Sequence, residues 1–86
     1  MKKTPEEIHK VIIDAILSAD VTLEKKDLLL DAGLLREGII DSYAFVELIG
    51  ELEERLDIEF KDEDINPENF HSINSTASFI DKDYNS

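Results

Sequence analysis

The chain contains no cysteine, and only three glycines and two prolines among its 86 residues. Without cysteine there is neither a disulfide framework nor a thiolate metal site, which fits a reducing compartment. No apolar run approaches the roughly 18 residues that a membrane span requires. The basic start at residues 1–3 is followed at once by Thr4-Pro5-Glu6-Glu7, so no signal-peptide core is present. The sequence therefore predicts a cytoplasmic protein that does not insert into a membrane.

Positive charge is also scarce. Nine Lys and Arg residues stand against 21 Asp and Glu residues, which gives a formal net charge of −12. Such a chain repels nucleic acid and anionic lipid, and it favours brief encounters with basic patches on other proteins. The hydrophobic fraction of 42% is still high enough to cover one face of several helices. We expect one domain over residues 1–86, ordered from about residue 4 to residue 81, and a monomer.

Apolar residues at helical spacing predict the secondary structure. Thr4-Pro5-Glu6-Glu7 is a capping box with proline at the first helical position, and it predicts a helix that ends at about Ser18. A second helix begins at Asp41 or Ser42 and ends at about Leu56. A brief helical turn follows near residues 66–70, Ser72 caps a last helix, and residues 81–86 form a frayed tail. The sequence predicts an all-α fold, a small antiparallel four-helix bundle of three longer helices and one short helix.

A long first loop, over residues 20–41, separates the first two helices. In a small domain a loop of this length is normally functional or partly helical. It carries apolar anchors of its own, among which the run Leu28–Leu30 is expected to pack down as a short turn. Gly33 and Gly38 are expected to supply positive φ angles.

The junction between this loop and the second helix is the most informative part of the sequence. Asp41 and Ser42 end a glycine-containing loop and begin a helix whose polar face is acidic. Asp41 is the expected N-cap, and Ser42 then lies on the surface at the positive end of the helix dipole. Unpaired amides at that end stabilise an anion, so the position suits a serine that receives a phosphodiester.

The chain resembles the acyl and peptidyl carrier proteins. The resemblance rests on Gly38-Ile39-Ile40-Asp41-Ser42, on Val46-Glu47-Leu48 and Leu52-Glu53-Glu54, and on the run from Ile58-Glu59-Phe60 to Ser72-Ile73. It implies a 4'-phosphopantetheine arm attached to Ser42, and a role for Asp41 in binding metal and transferase. It also implies a protein that is not an enzyme, and that presents an acyl or aminoacyl thioester to other enzymes. No resident metal site is expected.

Partners follow from the same resemblance: a phosphopantetheinyl transferase, an acyl- or aminoacyl-loading ligase, and a downstream acyltransferase or synthase. Two differences from the family, Tyr43 after the serine and Gly50 on the second helix, argue against the usual fatty-acid-synthesis partners. The sequence is more similar to discrete carriers of amino-acid or specialised acyl pathways, including D-alanyl carriers. We expect a partner-binding surface on the second helix, which comprises Tyr43, Val46, Glu47, Gly50, Glu51 and Glu54.

The acidic residues of the second helix support that surface. Glu47, Glu51, Glu53 and Glu54 face a single basic residue, Arg55. Few i,i+4 ion pairs can form, so the helix tolerates repulsion between like charges. A solvated helix face is the commoner meaning of such a run. The uncompensated repulsion favours docking instead.

Other functions fit the sequence less well. Asp62, Asp64 and Asn66 match the first ligands of an EF-hand loop, but Pro67 stands where glycine is required and Ile73 where the bidentate glutamate belongs. A serine hydrolase would need a base, and the only histidines are His9, expected to be exposed, and His71, expected in a loop. The remaining alternative is an acidic protein–protein interaction module, an inhibitor or nucleic-acid mimic, that has no prosthetic group.

Overall fold

The computed structural model describes residues 3–24, 26 and 28–84. Three α-helices form the fold: α1 (Pro5–Ala19), α2 (Ser42–Leu56) and α3 (Ile73–Asp83). Within these described ranges there is no strand. None of the helices there has the length and apolar character needed to cross a bilayer. The all-α prediction is confirmed.

Local capping signals set the start of each helix. At α1 the Thr4 hydroxyl accepts a hydrogen bond from the Glu7 amide (3.2 Å), and the Glu7 carboxylate accepts one from the Thr4 amide (3.2 Å). These hydrogen bonds, chiefly the one from the Thr4 backbone, hold the pKa of Glu7 below its ordinary value. At α3 the Ser72 hydroxyl accepts from the Ser75 amide (3.0 Å). Both predicted caps are confirmed, and they satisfy donors that a helix leaves unpaired.

The core lies along α1, which packs against both α2 and α3. One face of α1 is fully buried at Ile8, Ile12 and Ile16. Leu48 and Leu52 of α2 are equally buried, as is Ile73 of α3. Because α1 contacts both other helices, its apolar face fixes where the start of α2 lies in the molecule.

An aromatic cluster extends the core between α2 and α3. Phe70 is only 1% exposed, and its ring meets those of Phe45, Phe60 and Phe79 at centroid distances of 5.9, 5.3 and 5.5 Å. The interplanar angles of 82°, 86° and 71° are those of edge-to-face contacts, which aromatic rings prefer over a face-to-face sandwich. Phe45 comes from α2 and Phe79 from α3, so Phe70 joins the two helices.

The predicted short helix near residues 66–70 is not confirmed. The structure instead has one 3₁₀ turn at Asp62–Asp64, followed by irregular turns. Two asparagine side chains hydrogen-bond to the backbone of this segment. Asn66 Oδ1 accepts from the Asn69 amide (2.9 Å), and Asn69 Nδ2 donates to the Asp64 carbonyl (2.8 Å). Asparagine side chains that bond to nearby backbone compete with helix formation. The described part of the chain therefore has three α-helices and no fourth.

The predicted frayed tail is wrong for residues 81–84. Helix α3 continues to Asp83, and the ring of Tyr84 contacts those of Phe60 and Phe79 at 5.0 and 5.4 Å. The Tyr84 hydroxyl donates to the Asp64 carboxylate (2.6 Å) and accepts from the Lys61 amide (3.1 Å). Partial burial, together with the bond to Asp64, raises the pKa of Tyr84. Residues 85 and 86 of the predicted tail lie outside the described residues.

The long first loop is tied to the start of α3. The Leu34 amide donates to the His71 carbonyl (2.8 Å), and the Asn74 amide donates to the Leu30 carbonyl (3.0 Å). The Asn74 side chain also donates to the Asp31 carboxylate (2.6 Å). Leu34 is fully buried, whereas Leu29 and Leu30 remain exposed, so the expectation that the run Leu28–Leu30 packs down is wrong for two of its three residues.

Only one of the two loop glycines has the expected conformation. Gly38 has a φ of 72°, but Gly33 is not in the positive-φ region. Gly33 is instead buried against the His71 ring, and a Cβ there would lie 2.8 Å from His71 Cε1. It is glycine because of close packing rather than because of its backbone angle.

Candidate functional site

The Asp41–Ser42 junction is the start of α2. Asp41 is the N-cap, and its Oδ1 accepts a hydrogen bond from the Ala44 amide (2.8 Å). Ser42 is the first helical residue and is exposed. In the described part of the chain, no group hydrogen-bonds to its hydroxyl. A helix leaves its first amides unpaired, so the cap satisfies Ala44 and leaves those of Ser42 and Tyr43 available beside the hydroxyl.

The loop before the junction is anchored on both sides of Gly38. The left-handed backbone at Gly38 would strain any residue with a side chain. Just after it, Ile40 is 2% exposed, and its amide donates to the Leu34 carbonyl (3.0 Å). The buried Ile40 side chain holds the chain against the core, and the exposed Asp41 and Ser42 follow it directly. This arrangement anchors the backbone next to Ser42 and leaves Ser42 itself exposed.

Neither histidine makes a hydrogen bond to Ser42. His71 lies in a loop, as predicted, and it is exposed. His9 was predicted to be exposed, which is wrong: it is half-buried, and its ring nitrogens lie 2.8 Å from the Pro5 carbonyl and 2.8 Å from Asn74 Oδ1. With both nitrogens engaged between α1 and α3, His9 contributes to the fold. Neither histidine is therefore placed to act as a general base for Ser42.

The predicted partner surface lies on one face of α2. Tyr43 and Val46 are 73% and 68% exposed. The other members follow on the same face of α2 as far as Glu54. Five of the six predicted residues line a single open depression of about 390 Å³: Val46, Glu47, Gly50, Glu51 and Glu54. The structure thus brings these residues together, with Tyr43 between them and Ser42.

Two of the four helix glutamates have partners in the structure, and only one of them pairs with a positive charge. Glu51 accepts a hydrogen bond from the Ser18 hydroxyl (3.1 Å) and lies 3.7 Å from the Arg55 guanidinium. Glu53 accepts from the Phe60 amide (2.8 Å), and so fixes the chain that leaves α2. Glu47 and Glu54 are exposed and have no partner among the described residues. The docking argument therefore applies to Glu47 and Glu54.

A second depression of about 390 Å³ borders the first, and sequence reasoning missed most of its lining. Its residues are Phe45, Val46, Ile49, Gly50, Glu53 and Ile65. Ile65 could not be placed there from periodicity, because it comes from the irregular segment after the 3₁₀ turn. Gly50 and Val46 line both depressions, so they lie between an acidic side and an apolar side of α2.

No cluster of His, Cys, Asp or Glu that could hold a metal ion occurs within residues 3–24, 26 and 28–84. The EF-hand candidates are otherwise engaged: Asp64 accepts from Tyr84, and Asn66 accepts from Asn69.

Comparison with known proteins identifies the family of the chain. A family model described as "Phosphopantetheine attachment site" matches residues 12–80. Proteins named D-alanyl carrier protein, from Bacillus cereus (strain B4264) and from Bacillus anthracis (strain CDC 684 / NRRL 3495), are each 36% identical to this chain over 71 residues. The alignment covers 83% of this chain and 85% of each relative. The chain therefore belongs to the phosphopantetheine-binding carrier proteins, which hold their prosthetic group covalently on a serine and are not themselves enzymes.

Proposed function

We propose that Ser42 carries the 4'-phosphopantetheine arm, and that the arm holds an aminoacyl group, with D-alanine as the first candidate. The observation that carries the attachment site is the exposed, unpartnered Ser42 hydroxyl at the first residue of α2. The choice of D-alanine is supported by the names of the relatives at 36% identity. The alternative of an acidic module without a prosthetic group is less well supported, because the matching family model is described as a phosphopantetheine attachment site.

The other serines of the matched region fit an attachment site less well. Ser72 is buried and caps α3, where Ser75 is its hydrogen-bond partner. Ser18 is near the negative end of α1 and donates to Glu51, and Ser78 lies inside α3. Ser42 alone combines exposure with the positive end of a helix, which favours the negative charge of a phosphodiester. The surroundings of Ser42 thus fit the group.

The chemistry divides between the chain and the arm. In the modification, the Ser42 hydroxyl oxygen would bond to the pantetheine-bearing phosphorus of coenzyme A, with loss of 3',5'-ADP and transfer of the hydroxyl proton to the transferase. When bound, the arm supplies a terminal thiol for the thioester. The chain orients the attachment point, and it raises the effective concentration of the cargo at each partner by tethering.

Two measurements of intact mass test this function. Incubation of the chain with coenzyme A and a phosphopantetheinyl transferase should add one phosphopantetheinyl group. Addition of D-alanine, ATP and a ligase that serves D-alanyl carrier proteins should then add one alanyl group. Loading by a fatty-acyl ligase in place of the aminoacyl ligase would contradict the proposed cargo but preserve the carrier function.

The free glutamates should act on association with partner enzymes. We expect Glu47→Lys or Glu54→Lys to lower kcat/KM for the transferase by about tenfold at low salt, because charges at the edge of an interface act mainly on the association rate. The difference should shrink as salt rises, since the Debye length falls from about 30 Å at 0.01 M to about 10 Å at 0.1 M.

The matched control for that experiment is Glu68→Lys. Glu68 is also exposed but lies in the turns before α3, so its substitution changes the net charge equally and leaves α2 intact. Transfer rates that respond identically to all three variants would show that only net charge matters. The glutamates of α2 would then be an ordinary solvated face.

A further inference from the structure

Asn74, near the start of α3, joins three parts of the chain. Its amide donates to the Leu30 carbonyl (3.0 Å) and its Nδ2 to the Asp31 carboxylate (2.6 Å), both in the first loop. Its Oδ1 lies 2.8 Å from Nε2 of His9 on α1. The other ring nitrogen of His9, Nδ1, lies 2.8 Å from the Pro5 carbonyl. One series of polar contacts therefore links the first loop, α3 and α1.

The chemistry of these groups determines the direction of each hydrogen bond. An ionised carboxylate only accepts, so Asn74 presents its NH₂ group to Asp31 and its oxygen to His9. That oxygen and the Pro5 carbonyl are both acceptors, so both ring nitrogens of His9 must donate. A histidine that donates from both nitrogens is an imidazolium cation. Rotation of the Asn74 amide does not remove the extra proton, because its oxygen would then face Asp31, which would have to be protonated instead.

The surroundings of the His9 ring favour the same charge state. Glu6, Lys10 and Asp14 line the same open depression of about 540 Å³ on α1 as His9 does. Asp31 approaches from the first loop, and the contact from α3 is an uncharged amide. Three carboxylates against one ammonium group favour a cation between them. The ring is also half-buried, so a nitrogen left without a hydrogen bond would be costly.

We propose that His9, Asn74 and Asp31 form a proton-dependent clasp, which holds the first loop to α1 and α3 while His9 is charged and loosens as the pH rises. Loss of a proton from Nε2 leaves two acceptors facing each other, whereas the contact to Pro5 within one turn of α1 is kept. Histidine changes its charge between pH 5 and 8. Because the folded state favours the protonated ring, the stability that the clasp contributes is complete at the low end of this range and is lost toward the high end.

Asp31→Asn tests the need for the proton while it keeps a polar partner for Asn74. The new amide can accept from Asn74 or donate to it, so the Asn74 amide can rotate and offer a donor to a neutral His9. In nitrogen-15 NMR spectra of the full chain, the wild type should therefore keep protons on both His9 nitrogens to a higher pH than Asp31→Asn does. The matched control is Glu54→Gln, which removes one exposed carboxylate from α2 and should behave like the wild type. Identical titration of His9 in the two variants would show that net charge alone holds the proton, and would overturn the proposal.

The clasp should also affect the stability of the chain. Between about pH 6 and pH 8, the folding equilibrium constant should fall about tenfold further in the wild type than in His9→Gln, as expected for one hydrogen bond to a charged group. His71→Gln removes the other, exposed histidine and should keep the wild-type dependence. Over the same range, protection of the Asn74 amide from hydrogen exchange should fall relative to that of the Leu34 amide, because only Asn74 belongs to the clasp. Equal pH dependence of the wild type and His9→Gln, or constant relative protection of Asn74, would show that the loop is not released and would refute the clasp.

Discussion

Replacement of Ser42 by alanine should abolish phosphopantetheinylation completely. The substitution removes the only aliphatic hydroxyl of α2, and the other hydroxyl of this helix is the phenol of Tyr43, which lies one residue away from the proposed attachment point. Because Asp41 remains the N-cap and the Ser42 side chain makes no hydrogen bond in the described chain, the fold should be retained. Intact mass after reaction with coenzyme A and transferase measures the modification, and circular dichroism measures the fold.

Two variants make that result specific. Ser78→Ala removes an exposed serine hydroxyl from the middle of α3 and should be modified like the wild type. Asp41→Ala should lower the rate of modification, and it should also destabilise α2 by about 0.5–2 kcal/mol, as expected for the loss of an N-cap. Modification that persists in Ser42→Ala would move the attachment site elsewhere in the chain.

Replacement of Phe70 by alanine should remove a large part of the free energy of unfolding. Removal of a buried phenylalanine destabilises a core by about 3–5 kcal/mol, and a domain of this size has a total stability of about 4–13 kcal/mol. Phe70 is 1% exposed and loses three ring contacts at once, including those that join α2 to α3. Urea unfolding followed by circular dichroism should show a large fall in the midpoint.

Tyr43→Ala is the matched aromatic control. The Tyr43 ring is 73% exposed, so its removal should change the free energy of unfolding by no more than about 0.5 kcal/mol. Phe70→Leu should fall between the two, because it keeps an apolar side chain but leaves part of the space empty. Equal stability of Phe70→Ala and Tyr43→Ala would mean that the aromatic cluster does not hold the helices together.

The sequence predicted what depends on residues within a few positions of each other. The capping box at Thr4, the N-caps at Asp41 and Ser72 and the apolar face of α1 are all signals of this kind, and the structure confirms each one. The candidate site was predictable for the same reason, since Ser42 follows its cap directly in the sequence.

Contacts between distant residues could not be predicted in this way. The Ser18 hydroxyl reaches Glu51 across 33 positions, and the Tyr84 hydroxyl reaches Asp64 across 20. Periodicity places both carboxylates on polar segments, but it does not show which other segment lies opposite. The prediction of a positive φ at Gly33 was wrong for a related reason. A side chain at this position is excluded by the His71 ring, which the folded loop brings close.

The anchored Tyr84 also gives the molecule an optical property. The chain has no tryptophan and two tyrosines. The phenol of Tyr84 is fixed between Phe60 and Phe79, whereas that of Tyr43 projects from α2 beside Ser42. Since burial and the bond to Asp64 raise the pKa of Tyr84, its stabilising effect is complete below the ordinary phenol pKa of about 10 and is lost as the pH rises through the folded value. Because the Tyr84 ring is packed and the Tyr43 ring is exposed, the near-ultraviolet signal of Tyr84 should report on folding. The signal of Tyr43 should report on events at the proposed attachment site.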